Sequence, residues 1–232
     1  MRATVEEIQQ RQTPGRVIRS MPFESLENAL AQLPADTLAK LCLTDDPRVW
    51  AARSAQRDWL YRTAQVAPAG RALDIGTGWG LSSLIIAAAR PEPVLSIDIN
   101  TNARIWATEL AMQLGLSVDY QTRDIFQILP TLPHHFGFIL IDGLHSYKAE
   151  RFAYDFARQN DATIVVDDVN ELHPDSYRLS TRIWVGRQIA RWRFLFEVLG
   201  RVFNDGGTPR LYRELGFPEV HHGRWIVLRG SR

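Results

Sequence analysis

The 232-residue chain has one cysteine, Cys42, and only two lysines, Lys40 and Lys148. A single thiol excludes an internal disulfide, so the fold is not a small cross-linked scaffold. Long apolar runs are missing too. The longest are six residues, 84–89 and (counting Gly137) 136–141. A membrane span needs about 20, so no membrane partner is expected. The first twenty residues hold Glu6, Glu7 and several Gln and Arg without an apolar stretch, so no signal peptide is expected. Together these shortages point to a cytoplasmic protein. Strong charge is also absent. With 27 basic and 26 acidic residues the net charge is +1, which argues against nucleic acid as an obligate partner. One stretch departs from this balance: residues 178–232 hold eleven Arg, no Lys and four acids. Its simplest reading is a solvated face in an Arg-biased chain; the alternative is a surface that meets anions or nucleic acid.

What is present is ordinary globular material, 45% hydrophobic and 23% charged, enough for a three-layer core. Asp45-Asp46-Pro47 reads as a helix start, acids at the cap and Pro in the first turn, with a helix over 48–66. Trp50, Ala55, Trp59 and Leu60 fall roughly along one face, which suits packing and makes a homodimer an expectation. From residue 71 strands and helices alternate. Strands are expected at 72–75, 94–98, 116–121, 136–142 and 162–167. Helices are expected at 81–90, 101–114 (capped by Thr101, closed by Gly115) and 146–158. Residues 218–222 and 225–229 flank Gly223 as a hairpin. Apolar strands alternating with helices predict a Rossmann-like, doubly wound, mostly parallel seven-stranded α/β sheet with an antiparallel terminal hairpin and N-terminal helices. The boundary is expected between a helical extension, 1–67, and the main domain, 68–232.

Leu73-Asp74-Ile75-Gly76-Thr77-Gly78-Trp79-Gly80 joins the first strand to the first helix. In an open α/β sheet ligands bind beyond the carboxyl ends of the strands, and glycines there let the backbone approach closely. A dinucleotide fingerprint would place its third Gly at 81, where Leu81 stands. No Lys-Ser/Thr follows, so there is no P-loop. Asp98 ends the second strand, 22 residues after Gly76. A carboxylate there can accept from both ribose hydroxyls and would repel a 2′-phosphate. Asp124, after the third strand, could accept an adenine amino group or cap the short helix that follows. The plainer reading of Asp74, Asp98 and the glycines is helix capping and a tight turn. This set resembles the class I S-adenosylmethionine-dependent methyltransferases. The resemblance implies a cofactor site of Asp74, Gly76, Thr77, Gly78, Trp79, Gly80, Asp98 and Asp124.

A second constellation lies at the ends of strands four and five. Strand four runs into Asp142-Gly143-Leu144-His145-Ser146-Tyr147, and strand five into Asp167-Asp168-Val169. Asp142, Asp167 and Asp168 should converge, and three close carboxylates repel unless a cation sits among them. Oxygen-only donors select a hard ion, Mg²⁺ first. His145, three residues after Asp142, has a reference pKa near 6.5 that suits proton abstraction. Separately, each residue has a plainer reading as a cap or a solvated strand end. The pattern resembles the small cation-dependent O-methyltransferases of the catechol and antibiotic-sugar types. That implies Asp142, Asp167 and Asp168 as metal ligands, His145 as general base and a small hydroxylated acceptor. Two departures stand out: Gln159-Asn160-Asp161-Ala162 replaces the Pro-Gly-Gly turn common before strand five, and residues 178–208 match no pattern. Three rivals remain open: a metal-independent methyltransferase acting on nitrogen or a macromolecule, a nucleoside-binding module without catalysis, and an NAD-linked oxidoreductase weakened by Leu81.

Overall fold

The computed structural model describes residues 20–41, 43, 47–142, 146–167, 211, 214–216, 218–221 and 225–230. Three helices come first: α1 (Phe23–Ala31), α2 (Ala35–Lys40) and α3 (Pro47–Gln65). The alternating unit follows: β1 (Arg71–Ile75), α4 (Leu81–Ala89), β2 (Val94–Asp98), α5 (Thr101–Gln113), β3 (Val118–Thr122), the short α6 (Ile125–Ile128), β4 (Phe136–Ile141), α7 (Tyr147–Ala157) and β5 (Thr163–Val166). Then β6 (Val220–His221) and β7 (Trp225–Arg229) close the chain. The strand order is β3-β2-β1-β4-β5-β7-β6. β1 to β5 pair in parallel; β7 runs antiparallel to β5 and to the two-residue β6. This is the expected Rossmann-like architecture with its antiparallel terminal hairpin.

Strand alternation sends side chains to two cores. Ala72, Val94, Val118, Leu140 and Val165 face a layer of helices before and after β1, with Leu26, Leu30, Leu60, Ala64 and Leu84. Leu73, Ile75, Leu95, Ile97, Ile139, Ile141, Ile164 and Val166 face the other side with Ala153 and Phe156 of α7. Burial on both faces explains why these strands read as apolar runs.

The N-terminal helices share the first core. The buried face of α3 is Arg57, Leu60, Tyr61 and Ala64, spaced three or four residues apart. Ala55, expected on that face, is exposed because it lies off this stripe. Arg57 donates from Nε and Nη2 to Glu27 of α1 at 2.6 and 2.7 Å, and Tyr61 donates to the Met21 carbonyl at 2.9 Å. Trp59 stacks on Trp225 of β7 at 4.7 Å. Arg90, after α4, fans its guanidinium over the carbonyls of Ala64, Pro68 and Gly70 at 2.7–2.9 Å, which fixes the α3–β1 connection.

Some boundaries differ from the sequence reading. The cap of α5 is Asn100, whose side chain accepts from the Asn102 N–H at 3.1 Å, rather than Thr101. Gly115 (φ 69°) closes α5 as expected. Leu116 and Ser117 belong to the bend it makes, so β3 starts at Val118. The proposed caps Asp45 and Asp46 lie outside the described residues, as does 178–208.

Candidate functional site

The strand order reverses between β1 and β4, and the carboxyl ends of β1, β2, β4 and β5 are stitched together there. The Gly76 N–H donates to the Ile97 carbonyl (2.9 Å), the Asp142 N–H to Ile75 (2.8 Å) and the Asp167 N–H to Ile141 (2.9 Å). A switch point of this kind is where such sheets bind ligands.

The glycine turn owes its shape to crowding on two sides and space on a third. Gly76 has φ 101°, and a Cβ there would lie 1.8 Å from the Asp142 carbonyl oxygen. Gly80 has φ 93° at the start of α4, with Ala107 of α5 only 2.7 Å from a Cβ. Gly78, at φ 49°, has nothing within 4 Å of that position. The turn is therefore packed from beneath and open above Gly78. Asp98 reaches into it: its Oδ2 accepts from the Gly78 N–H at 2.9 Å and its Oδ1 from Asn100 at 2.8 Å. Carboxylate oxygens each have a further acceptor site, so Asp98 can hold the turn and still receive a ribose hydroxyl. Trp79 is 39% exposed beside this opening, its ring edge-on to Trp106 of α5 at 5.7 Å.

Two expected cofactor residues sit elsewhere than on the surface of the site. Asp74 is 0% exposed. Strand alternation turns it away from the cleft and under the turn, where Oδ2 accepts from Ser82 (3.1 Å), Ser96 (3.0 Å) and Ser83. Burial pushes its carboxyl up to about 6, against the opposing pull of the three hydroxyls. Thr77 is buried as well, its hydroxyl bonded to that of Ser96. Both residues support the turn from below. Asp124 caps α6, accepting from the Phe126 N–H at 2.9 Å through Oδ1, the plainer of its two readings; its side chain is exposed.

Asp142 and Asp167 follow the paired residues Ile141 and Val166 on neighbouring parallel strands. Asp142 is half-buried and Asp167 is 5% exposed. Two carboxylates on adjacent strand ends offer oxygen donors that fit a hard divalent cation. His145 and Asp168 lie outside the described residues. Among the described residues no group of three or more His, Cys, Asp or Glu is close enough to hold a metal. No described helix is long and apolar enough to cross a membrane.

Sequence reasoning missed Ser82, Ser83 and Ser96. Their signal was there: two serines opening an apolar helix, and one interrupting the apolar strand Val94-Leu95-Ser96-Ile97.

Residues 73–169 match the family model described as a methyltransferase domain. No curated protein matches. The fold is similar to the O-methyltransferase TomG from Streptomyces achromogenes, solved with S-adenosylmethionine: 23% identity, 69% of this chain and 74% of that one, TM-score 0.48. It is also similar to an O-methyltransferase from Bacillus cereus in complex with S-adenosylhomocysteine: 18% identity, 83% and 84%, TM-score 0.47. A third similar structure is that of a putative rRNA methylase from Clostridium thermocellum: 15% identity, 50% of this chain and 68% of that one, TM-score 0.43.

Proposed function

We propose that this protein is an S-adenosylmethionine-dependent methyltransferase that transfers the methyl group to an oxygen of a small hydroxylated acceptor, with Mg²⁺ held beside the cofactor; the match of residues 73–169 to a methyltransferase domain supports the reading. The observation that carries this reading is the juxtaposition of the glycine turn with Asp142, whose backbone is in contact with Gly76 and whose neighbouring strand ends in Asp167.

In this reading Asp98 receives the ribose hydroxyls over the open face of Gly78, and Trp79 walls the cofactor side. Asp142, Asp167 and Asp168 hold the cation. When bound, the cofactor supplies an electrophilic methyl group and the cation supplies positive charge that favours an ionised acceptor hydroxyl. His145 receives the hydroxyl proton. The turn and the strand ends contribute position, and rigid neighbouring strands hold the parts in register.

The test is formation of S-adenosylhomocysteine with a panel of acceptors carrying two adjacent hydroxyls, catechols and sugars, with EDTA or with Mg²⁺. The reading expects turnover that EDTA abolishes and Mg²⁺ restores. Turnover unaffected by EDTA would favour a metal-independent methyltransferase instead.

A further inference from the structure

We infer that Trp106 is a positioning residue of the cofactor site, set between Lys40 of the N-terminal helices and Trp79 of the glycine turn, so that those helices help to fix the wall of the turn. The inference rests on the cofactor proposed above and is independent of the cation and the acceptor.

Trp79 carries the largest side chain of the turn. Gly78 and Gly80 flank it with φ 49° and 93°, backbone conformations that residues with side chains rarely adopt. Its indole is 39% exposed beside the opening above Gly78. An aromatic side chain this exposed keeps one orientation only where a neighbour holds it. Among the described residues its ring meets one other aromatic ring, that of Trp106 on α5, at 5.7 Å and 88°. Edge-to-face is a favoured geometry for two aromatic quadrupoles, so the contact sets the tilt of Trp79 as well as its place.

Trp106 is itself braced. It is half-buried and packs at the margin of the first core. The next residue, Ala107, lies under the turn: a Cβ on Gly80 would fall 2.7 Å from the Ala107 Cβ. Thus α5 meets the turn at two successive residues, one against Gly80 and one against Trp79. Lys40, the last residue of α2, places its ammonium 5.5 Å from the centroid of the Trp106 ring, within cation–π range. Leu38 and Leu41, on either side of Lys40, are buried in the same core, so the lysine stem starts from a fixed backbone.

The run Lys40–Trp106–Trp79 passes from an N-terminal helix through α5 to the mouth of the turn. Trp106 has no need to touch the ligand. It holds Trp79 in the orientation that a bound ligand meets, so the wall is ordered in advance and binding loses less freedom. A Trp106 that merely supported α5 would act equally whatever stood at position 79.

The experiment is calorimetric titration of S-adenosylhomocysteine, in EDTA and without acceptor, into the members of a double-mutant cycle. Trp106→Ala should weaken binding about 3- to 10-fold, the range of an aromatic pair. Trp106→Phe keeps an edge-to-face partner and should recover most of that loss. In the Trp79→Ala background, Trp106→Ala should weaken binding no further. Lys40→Met is an exposed change that removes the charge and keeps the stem. It should weaken binding about 2-fold with Trp79 present and leave it unchanged without Trp79; this cycle decides the matter if Trp106→Ala does not fold. Wild-type affinity in Trp106→Ala or in Lys40→Met, or equal losses with and without Trp79, would overturn the inference and leave the proposed function standing. Failure of the wild-type protein to bind S-adenosylhomocysteine would overturn both.

Discussion

Gly76 and Asp142 meet backbone to backbone: a Cβ on Gly76 would fall 1.8 Å from the Asp142 carbonyl oxygen. The end of β1 and the end of β4 are thus pressed together where the strand order reverses. The glycine turn and the backbone of Asp142 are parts of one junction.

Replacement of this glycine should therefore be costly. Gly76→Ala meets both the clash and a φ of 101°, and should lower unfolding free energy by about 2–4 kcal/mol. Gly78→Ala meets open space and only the left-handed backbone cost of about 1–2 kcal/mol. Its larger effect should be on cofactor affinity, because the methyl enters the open side. Denaturant unfolding of both variants checks the order; equal losses of stability would contradict it.

Asp98 accepts from Gly78 and keeps acceptor capacity for a ligand. Asp98→Ala should weaken S-adenosylhomocysteine binding by about 1–3 kcal/mol, the usual loss of a charged hydrogen-bond partner. Calorimetric titration measures this. Unchanged affinity would remove Asp98 from the site.

Arg90 binds the carbonyls that end α3 and lead into β1. These lie at the amino end of the strand, away from the turn. Arg90→Ala should cost about 2–4 kcal/mol of stability, since several buried carbonyls lose a charged donor. The folded fraction should bind S-adenosylhomocysteine with wild-type affinity. A thermal melt with and without ligand separates the two effects.

Asp74 gives a signed pH dependence of stability. Its folded value is raised from 3.8 to about 6. Its favourable contribution is therefore complete below pH 3.8 and is lost as pH rises through about 6, by roughly 3 kcal/mol in total. Asp74→Asn lacks this loss. The wild-type minus variant difference in unfolding free energy, measured from pH 4 to 7.5, should decline with rising pH and then level off. A flat difference would show that Asp74 titrates as it does in the unfolded chain.

Much of this architecture was legible because strands buried on both faces must be apolar, and their ends are marked by Asp98, Asp142 and Asp167. The glycine turn was legible because close approach demands glycine. The orientation of Asp74 was not. The convergence of Ser82, Ser83 and Ser96 on one oxygen joins residues up to 22 positions apart, which spacing along the chain does not reveal. The face of α3 was partly misjudged because the Trp residues suggested one stripe while the Arg57–Glu27 pair and Leu60, Tyr61 and Ala64 define another. Asp124 caps α6 through Oδ1, accepting from the Phe126 N–H, a role that its place before a short helix had offered.

In the proposed function one junction holds cofactor and cation together. Its most direct test is titration of Mn²⁺, a paramagnetic stand-in for Mg²⁺, into the protein with S-adenosylhomocysteine bound, followed by electron paramagnetic resonance. The wild type should bind one ion per chain. Asp142→Ala and Asp167→Ala should each lose that ion and keep S-adenosylhomocysteine affinity. Absence of bound Mn²⁺ in the wild type, or binding that persists unchanged in both variants, would contradict it.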